Sequence, residues 1–229
     1  MLNRITLLFV LISSIITAQA QVISEVDFDA VNRNIQDPKS DYYYQDLVDR
    51  MMAHDTTLGL ADYHHIYYGS AEVEGYSPYG DSDKLDVFKE KLSAGAFDDA
   101  LDVGVKIWKS YPGNIESVYN LLICADAMQN KPLAQQYANH YFAFLEVIYR
   151  SGTGRSIEDA WVVMRVRDEY LVLNDMGLER SQQALLDGPT DEMTLTKESR
   201  KKMKKKDRVK ALYFNVAKPF ESMSKMFKK

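Results

Sequence analysis

The feature that most constrains the fold of this 229-residue chain is a punctuation pattern between Asp81 and Tyr149. Gly95-Ala96-Phe97-Asp98-Asp99-Ala100-Leu101 ends one helical stretch and opens another, and Pro112 closes the second. Ala134 follows Ala100 by 34 residues and again falls near the start of a second helix. Alanine matters at that position because a larger side chain would push two paired helices apart. A Gly turn, an aromatic, a small residue and a Pro at this period predict antiparallel helical hairpins stacked side by side.

The spacing resembles the tetratricopeptide pattern in degenerate form. Phe88 and Leu122 stand where that pattern has small residues, and two repeats are fewer than the roughly three that stack stably. The flanking segments must therefore support them. In this register Ser82, Leu85, Lys89, Glu116, Tyr119, Ile123 and Asp126 line the inner face of the first helices. Leu85, Tyr119 and Ile123 would leave an apolar groove, which the tyrosine-rich segment before it is expected to fill.

That preceding segment, residues 21–80, reads as three helices. Val26, Val31 and Ile35 share a face up to the stop at Asp37-Pro38, and Ser40 or Asp41 is placed to cap the next helix. The second carries Tyr42-Tyr43-Tyr44, Leu47, Val48, Met51 and Met52. The third puts Leu60, Tyr63, His64, Tyr67 and Ala71 on one face. Gly75 to Gly80 is a turn cluster and a subdomain boundary. Eight of the 15 tyrosines fall between Tyr42 and Tyr79, which suits the seam against the repeat or, less well, a sugar-binding surface.

Residues 151–229 change texture. Trp161 to Val166 is strand-like, Glu169 to Met176 reads as a short helix ending at Gly177, and Glu192 to Thr196 turns Met193 and Leu195 inward. Val209 to Val216 alternates, with Leu212, Phe214 and Val216 on one face. The last two strands form a hairpin around Lys197 to Asp207. Pro219 opens a final helix with Phe220, Met223 and Phe227. The fold class is mainly α with a small C-terminal α+β part, in which tetratricopeptide-like hairpins over residues 81–150 precede a small antiparallel sheet.

Several strings together carry a wider resemblance: Tyr42-Tyr43-Tyr44, Asp55-Thr56-Thr57-Leu58, Asp62-Tyr63, Tyr67-Tyr68-Gly69, Asp168-Glu169-Tyr170, Leu212-Tyr213-Phe214-Asn215-Val216 and Lys218-Pro219-Phe220. With Gly95-x-Phe97 and Ala100, they resemble an exported Bacteroidota family described only as domain of unknown function 4919. The resemblance spans residues 21–229 nearly throughout. It implies a periplasmic or envelope setting and brings no catalytic residues with it.

The N-terminus gives the same address. A basic start to Arg4, an apolar run from Ile5 to Ile16 and Ala18-Gln19-Ala20 form a signal peptide over residues 1–20, cleaved after Ala20. Gln21, and not Cys, at the next position argues against a lipid anchor. Charge then divides the chain. Gln21 to Thr196 carries 14 Lys and Arg against 30 Asp and Glu, whereas Lys197 to Lys229 carries 13 against 3. The acidic body argues against nucleic acid as a partner. Lys201, Lys202, Lys204, Lys205 and Lys206 form a solvated loop or a weak contact to an anionic membrane surface or an acidic protein.

Candidate chemistry is sparse. Cys124 lies in an apolar run with no base beside it and reads as a buried hydrophobe. His64 and His65 point about 100° apart on a helix, so they cannot clasp one metal together. His54, Asp62 and His65 are the one set able to serve a metal-dependent hydrolase, without any recognised ligand spacing. Ser151-Gly152-Thr153-Gly154-Arg155-Ser156 lacks the ending of a phosphate loop. Asp98-Asp99 and Asp168-Glu169 read as helix-start charges. The resulting expectation is no catalytic, cofactor or metal residues, and a non-enzymatic interaction or scaffold module of the bacterial envelope.

Overall fold

A computed structural model describes residues 26–226, apart from 74–75, 79–81 and 187. The leader expected over residues 1–20, half of the Gly75–Gly80 turn and Phe227 lie outside the described residues.

Three N-terminal helices come first: α1 (Phe28–Gln36), α2 (Tyr44–Met52) and α3 (Leu60–Gly69). Asp27 starts α1 by accepting from Ala30 N at 2.8 Å, a side-chain cap for an otherwise orphan donor. Ser40 does not cap α2 as expected. Its hydroxyl accepts from Tyr42 N inside the preceding turn, and α2 begins at Tyr44 with no side-chain cap. The apolar face of α3 also differs from expectation. Tyr63, His65, Ile66, Tyr67, Tyr68 and Gly69 are all buried, because α3 lies between α1 and α2 on one side and a later long helix on the other. Gly69 permits the approach, since a Cβ there would stand 3.0 Å from Ile35 Cγ2.

Four helices follow as consecutive antiparallel hairpins: α4 (Ser82–Ser93), α5 (Phe97–Ser110), α6 (Ile115–Ala127) and α7 (Lys131–Tyr149). Gly95 takes the left-handed turn conformation at φ +73°. Asn114 and Asn130 cap α6 and α7 through their side chains. Ala100 is fully buried against Phe88, Ile107 and Cys124, whereas Ala134 is only half-buried. Among the described residues the N-terminal helices make no major contact with the α4–α6 face that the sequence suggested they would fill. They pack on α7, while α6 meets α8 (Val166–Asp175) through an ion pair of Glu116 with Arg167 at 3.0 Å. Ile123 remains 40% exposed.

The C-terminal part contains β1 (Trp161–Val162), β2 (Arg180–Leu186), β3 (Thr190–Leu195) and β4 (Ala211–Asn215) in the order β1-β4-β3-β2. The sheet is mixed, which corrects the expectation of an antiparallel one. β1 pairs with β4 in parallel, and α8 supplies part of the crossover that a parallel pair requires. β1 is shorter than its apolar run because Met164 N donates to the Tyr67 hydroxyl at 3.0 Å, drawing the chain off the sheet. The hairpin of β3 and β4 forms as expected, and its loop carries α9 (Lys197–Lys202). The last helix, α10 (Ala217–Met226), starts two residues before Pro219, with Asn215 Oδ1 accepting from Ala217 N. One core cluster runs through all three segments, including Leu47, Tyr67, Trp108, Phe144, Trp161 and Phe214.

Candidate functional site

Three groups of chemistry-bearing side chains stand out, and each was incompletely legible in the sequence. The first gathers at the end of α2. Ala53 closes that helix, His54 N donates to Met51 O and Asp55 N donates to Arg50 O, the bond pattern of a helix stop with a left-handed residue. His54 fills that left-handed position at φ +53°, where glycine is the usual choice. Its side chain meets His140 of α7, with His54 Nδ1 and His140 Nε2 2.9 Å apart. Tyr63 Oη lies 2.7 Å from His140 Nδ1. Burial pushes His140 down to about 4, with His54 adding repulsion, and burial lowers His54 as well.

The set His54, Asp62 and His65 is not assembled. His65 turns toward α1, where its Nε2 lies 3.0 Å from Asn34 Nδ2 and its ring stacks on Tyr42 at 4.0 Å. Asp62 accepts from Gly59 N at 2.8 Å, capping its own helix. His64 packs its ring on Tyr68, and burial holds it down at about 4. Among the described residues no three His, Cys, Asp or Glu side chains gather around a point where a metal would sit.

The second group lies at the start of α8. Asp168 and Glu169 are not exposed helix-start charges; both are 0% exposed. Tyr67 Oη donates to Asp168 Oδ2 at 2.7 Å across 101 residues of sequence. Burial drives Asp168 up to about 7 against the opposing pull of Tyr67 and Arg165. Burial, with Asp191 beside it, drives Glu169 up to about 10. Gln183 of β2 ties this group to the sheet by donating to Asp191 at 2.6 Å and accepting from Tyr170 Oη at 2.6 Å. Asp168 Oδ1, Glu169 Oε1 and Arg165 Nε are buried with no hydrogen-bond partner among the described residues. At neutral pH Glu169 is therefore protonated while Asp168 stands near its midpoint, and the group joins helix to sheet.

Two further candidates are spent on folding. Thr153 N and Gly154 N both donate to Asp159 O, and a Cβ on Gly154 would stand 2.5 Å from the Trp161 ring, so this loop wraps the tryptophan. The amides of Thr153 and Gly154 are thus used internally. Cys124 is buried with its Sγ 3.4 Å from Phe97 O, and burial raises its thiol.

The third group is the exposed basic segment. Thr196 caps α9 by accepting from Ser199 N at 3.1 Å, and Ser199 Oγ accepts from Glu179 N at 2.7 Å. Lys202 Nζ donates to Gly177 O at 3.1 Å, and Asp207 pairs with Arg155 at 3.1 Å. Lys201, Lys204, Lys205 and Lys206 point outward from this anchored frame. The run from Lys197 to Lys210 holds nine Lys or Arg.

A family model described as Domain of unknown function (DUF4919) matches residues 29–225. The chain belongs to that family. No curated protein and no solved structure matches it. Among the described residues no helix is long and apolar enough to cross a membrane.

Proposed function

We propose that this member of the DUF4919 family is an exported, non-enzymatic interaction module of the bacterial envelope, and that its contact surface is the basic α9 hairpin. One observation carries the reading: the lysines of residues 201–206 stand on a segment fastened at both ends, by Ser199 to Glu179 and by Asp207 to Arg155. A fixed cluster of like charge beside an acidic body attracts an anionic surface and orients the molecule on it. The buried Asp168 and Asp191 support the same view, being engaged in bonds that hold elements together.

The test places a photo-reactive side chain at position 204, and a second at Asp98 on α5, in the native cell. The account expects a discrete cross-linked product from position 204 only, lost at high salt, from a protein whose N-terminus is Gln21. Products of equal yield from both positions, or an intact Met1, contradict it. Lipid adducts in place of protein adducts at position 204 make the partner an anionic membrane, the second reading that the lysines favour.

A further inference from the structure

We infer that the hollow above the His54–His140 pair is a binding site for a small uncharged molecule rich in hydroxyl or carbonyl oxygens, of the size of a monosaccharide. The hollow has a volume of about 270 Å³ and draws on three places in the fold. His54 and Asp55 come from the end of α2, Tyr63 from α3, and Gln136, Asn139 and His140 from α7. Tyr63 and His140 form a buried floor, and Thr56, Gln136 and Asn139 an exposed polar rim.

The hydrogen bonds of the floor determine what it presents. The protons of this chain follow one of two patterns. If the Tyr63 hydroxyl donates to His140 Nδ1, His140 Nε2–H donates to His54 Nδ1 and the His54 proton lies on Nε2. If His54 Nδ1–H donates to His140 Nε2, His140 Nδ1–H donates to Tyr63 Oη, whose own proton is left over. Burial lowers both rings, with His54 adding repulsion at His140, and so favours their neutral forms at neutral pH. In either pattern the chain Tyr63–His140–His54 leaves one uncharged donor over, His54 Nε2–H or the Tyr63 hydroxyl.

The rim adds donors of the same kind. Asn139 Oδ1 is occupied by Gln135 Nε2 at 2.8 Å, which leaves its amide N–H groups for a guest. Asp55 is ionised, held down near 2 by Thr57 and Arg50, and its oxygens accept from those two residues. The Arg50 guanidinium offsets its charge at 2.8 Å. The site is therefore donor-rich yet near neutral. Such a surface suits acceptor oxygens without charge: it gives a carboxylate no cation, and an ammonium no unshared anion.

His54 takes φ +53°, a conformation that glycine adopts without strain. That makes His54→Gly the informative variant, because it keeps the backbone conformation and removes only the ring.

The experiment follows the imidazole nitrogen signals of the folded protein by NMR during titration with methyl glucoside, acetate and methylammonium in turn. The inference expects saturable shifts of the His54 and His140 signals with methyl glucoside alone. It also expects affinity to fall by about ten-fold or more in His54→Gly and in Asn139→Ala. Saturation by acetate or methylammonium in place of the glycoside overturns the ligand class. Unchanged affinity in both variants, or no saturation by any of the three probes, overturns the site.

Discussion

Glu169 shows how far a single residue can depart from the reading its neighbours invite. At the start of a helix, a carboxylate is an ordinary favourable charge. Here the group is wholly buried between α8 and the sheet, and its folded-state pKa rises from the usual 4.5 to about 10. The folded state therefore binds the proton more tightly than the unfolded chain does. The stabilisation is complete below the unfolded value and is lost as the pH rises through the folded one. Asp168, raised to about 7, adds to the loss over the lower part of that range. His140 acts oppositely, since its depressed pKa removes stability as the pH falls from about 6.5 toward 4. Above pH 7 only the carboxyl effect remains among these three. Urea unfolding between pH 7 and pH 10 should show a midpoint that declines for the native protein and declines much less for Glu169→Gln. A native midpoint that is flat over this range contradicts the buried, protonated carboxyl. No spacing in the sequence reveals it, because Tyr67 and Asp191 come to this pair from other segments.

At the scale of elements, regular periods and turn residues were legible, and features set by distant partners were not. The left-handed glycines at Gly95 and Gly177 marked two turns at their observed places. Met193, Leu195, Leu212 and Phe214 point into the core as their alternation required. β2 escaped notice because Arg180-Ser181-Gln182-Gln183-Ala184-Leu185-Leu186 is mostly exposed and has no apolar alternation. An edge strand of that kind is defined by its neighbour β3 and not by its own side chains. The end of β1 is set by Tyr67, far away in α3, whose hydroxyl accepts from Met164 N. Ala100 tests the pairing of α4 with α5. It lies fully buried against Phe88, so Ala100→Leu overpacks the seam and should lower stability by about 1–3 kcal/mol. Half-buried Ala134→Leu should lower it by less, and exposed Lys204→Leu by under about 0.5 kcal/mol. Equal urea midpoints for the three variants would mean that Ala100 is not a contact between helices.

For the molecule as a whole, the segregation of charge was visible in composition, but its fastening was not. The thirteen cations after Thr196 announce a basic end, yet only the bonds of Ser199, Lys202 and Asp207 show that the lysines are held in place. The His54 hollow was likewise half legible. His54 was singled out, but with Asp62 and His65 as companions, since His140 lies 86 residues away and no motif links them. The account's central claim is that the buried polar groups hold the fold while the exposed lysines make the contact. Replacing Lys201, Lys204, Lys205 and Lys206 together with glutamate tests it most directly. These four side chains are exposed, so thermal unfolding of the variant should match the native protein within a few degrees. The measurement is the fraction of the variant retained with the cell envelope after gentle release of soluble contents. The account predicts a folded variant that is largely released while the native protein is retained, and native retention that itself falls with added salt. A folded variant retained as fully as the native protein would contradict it.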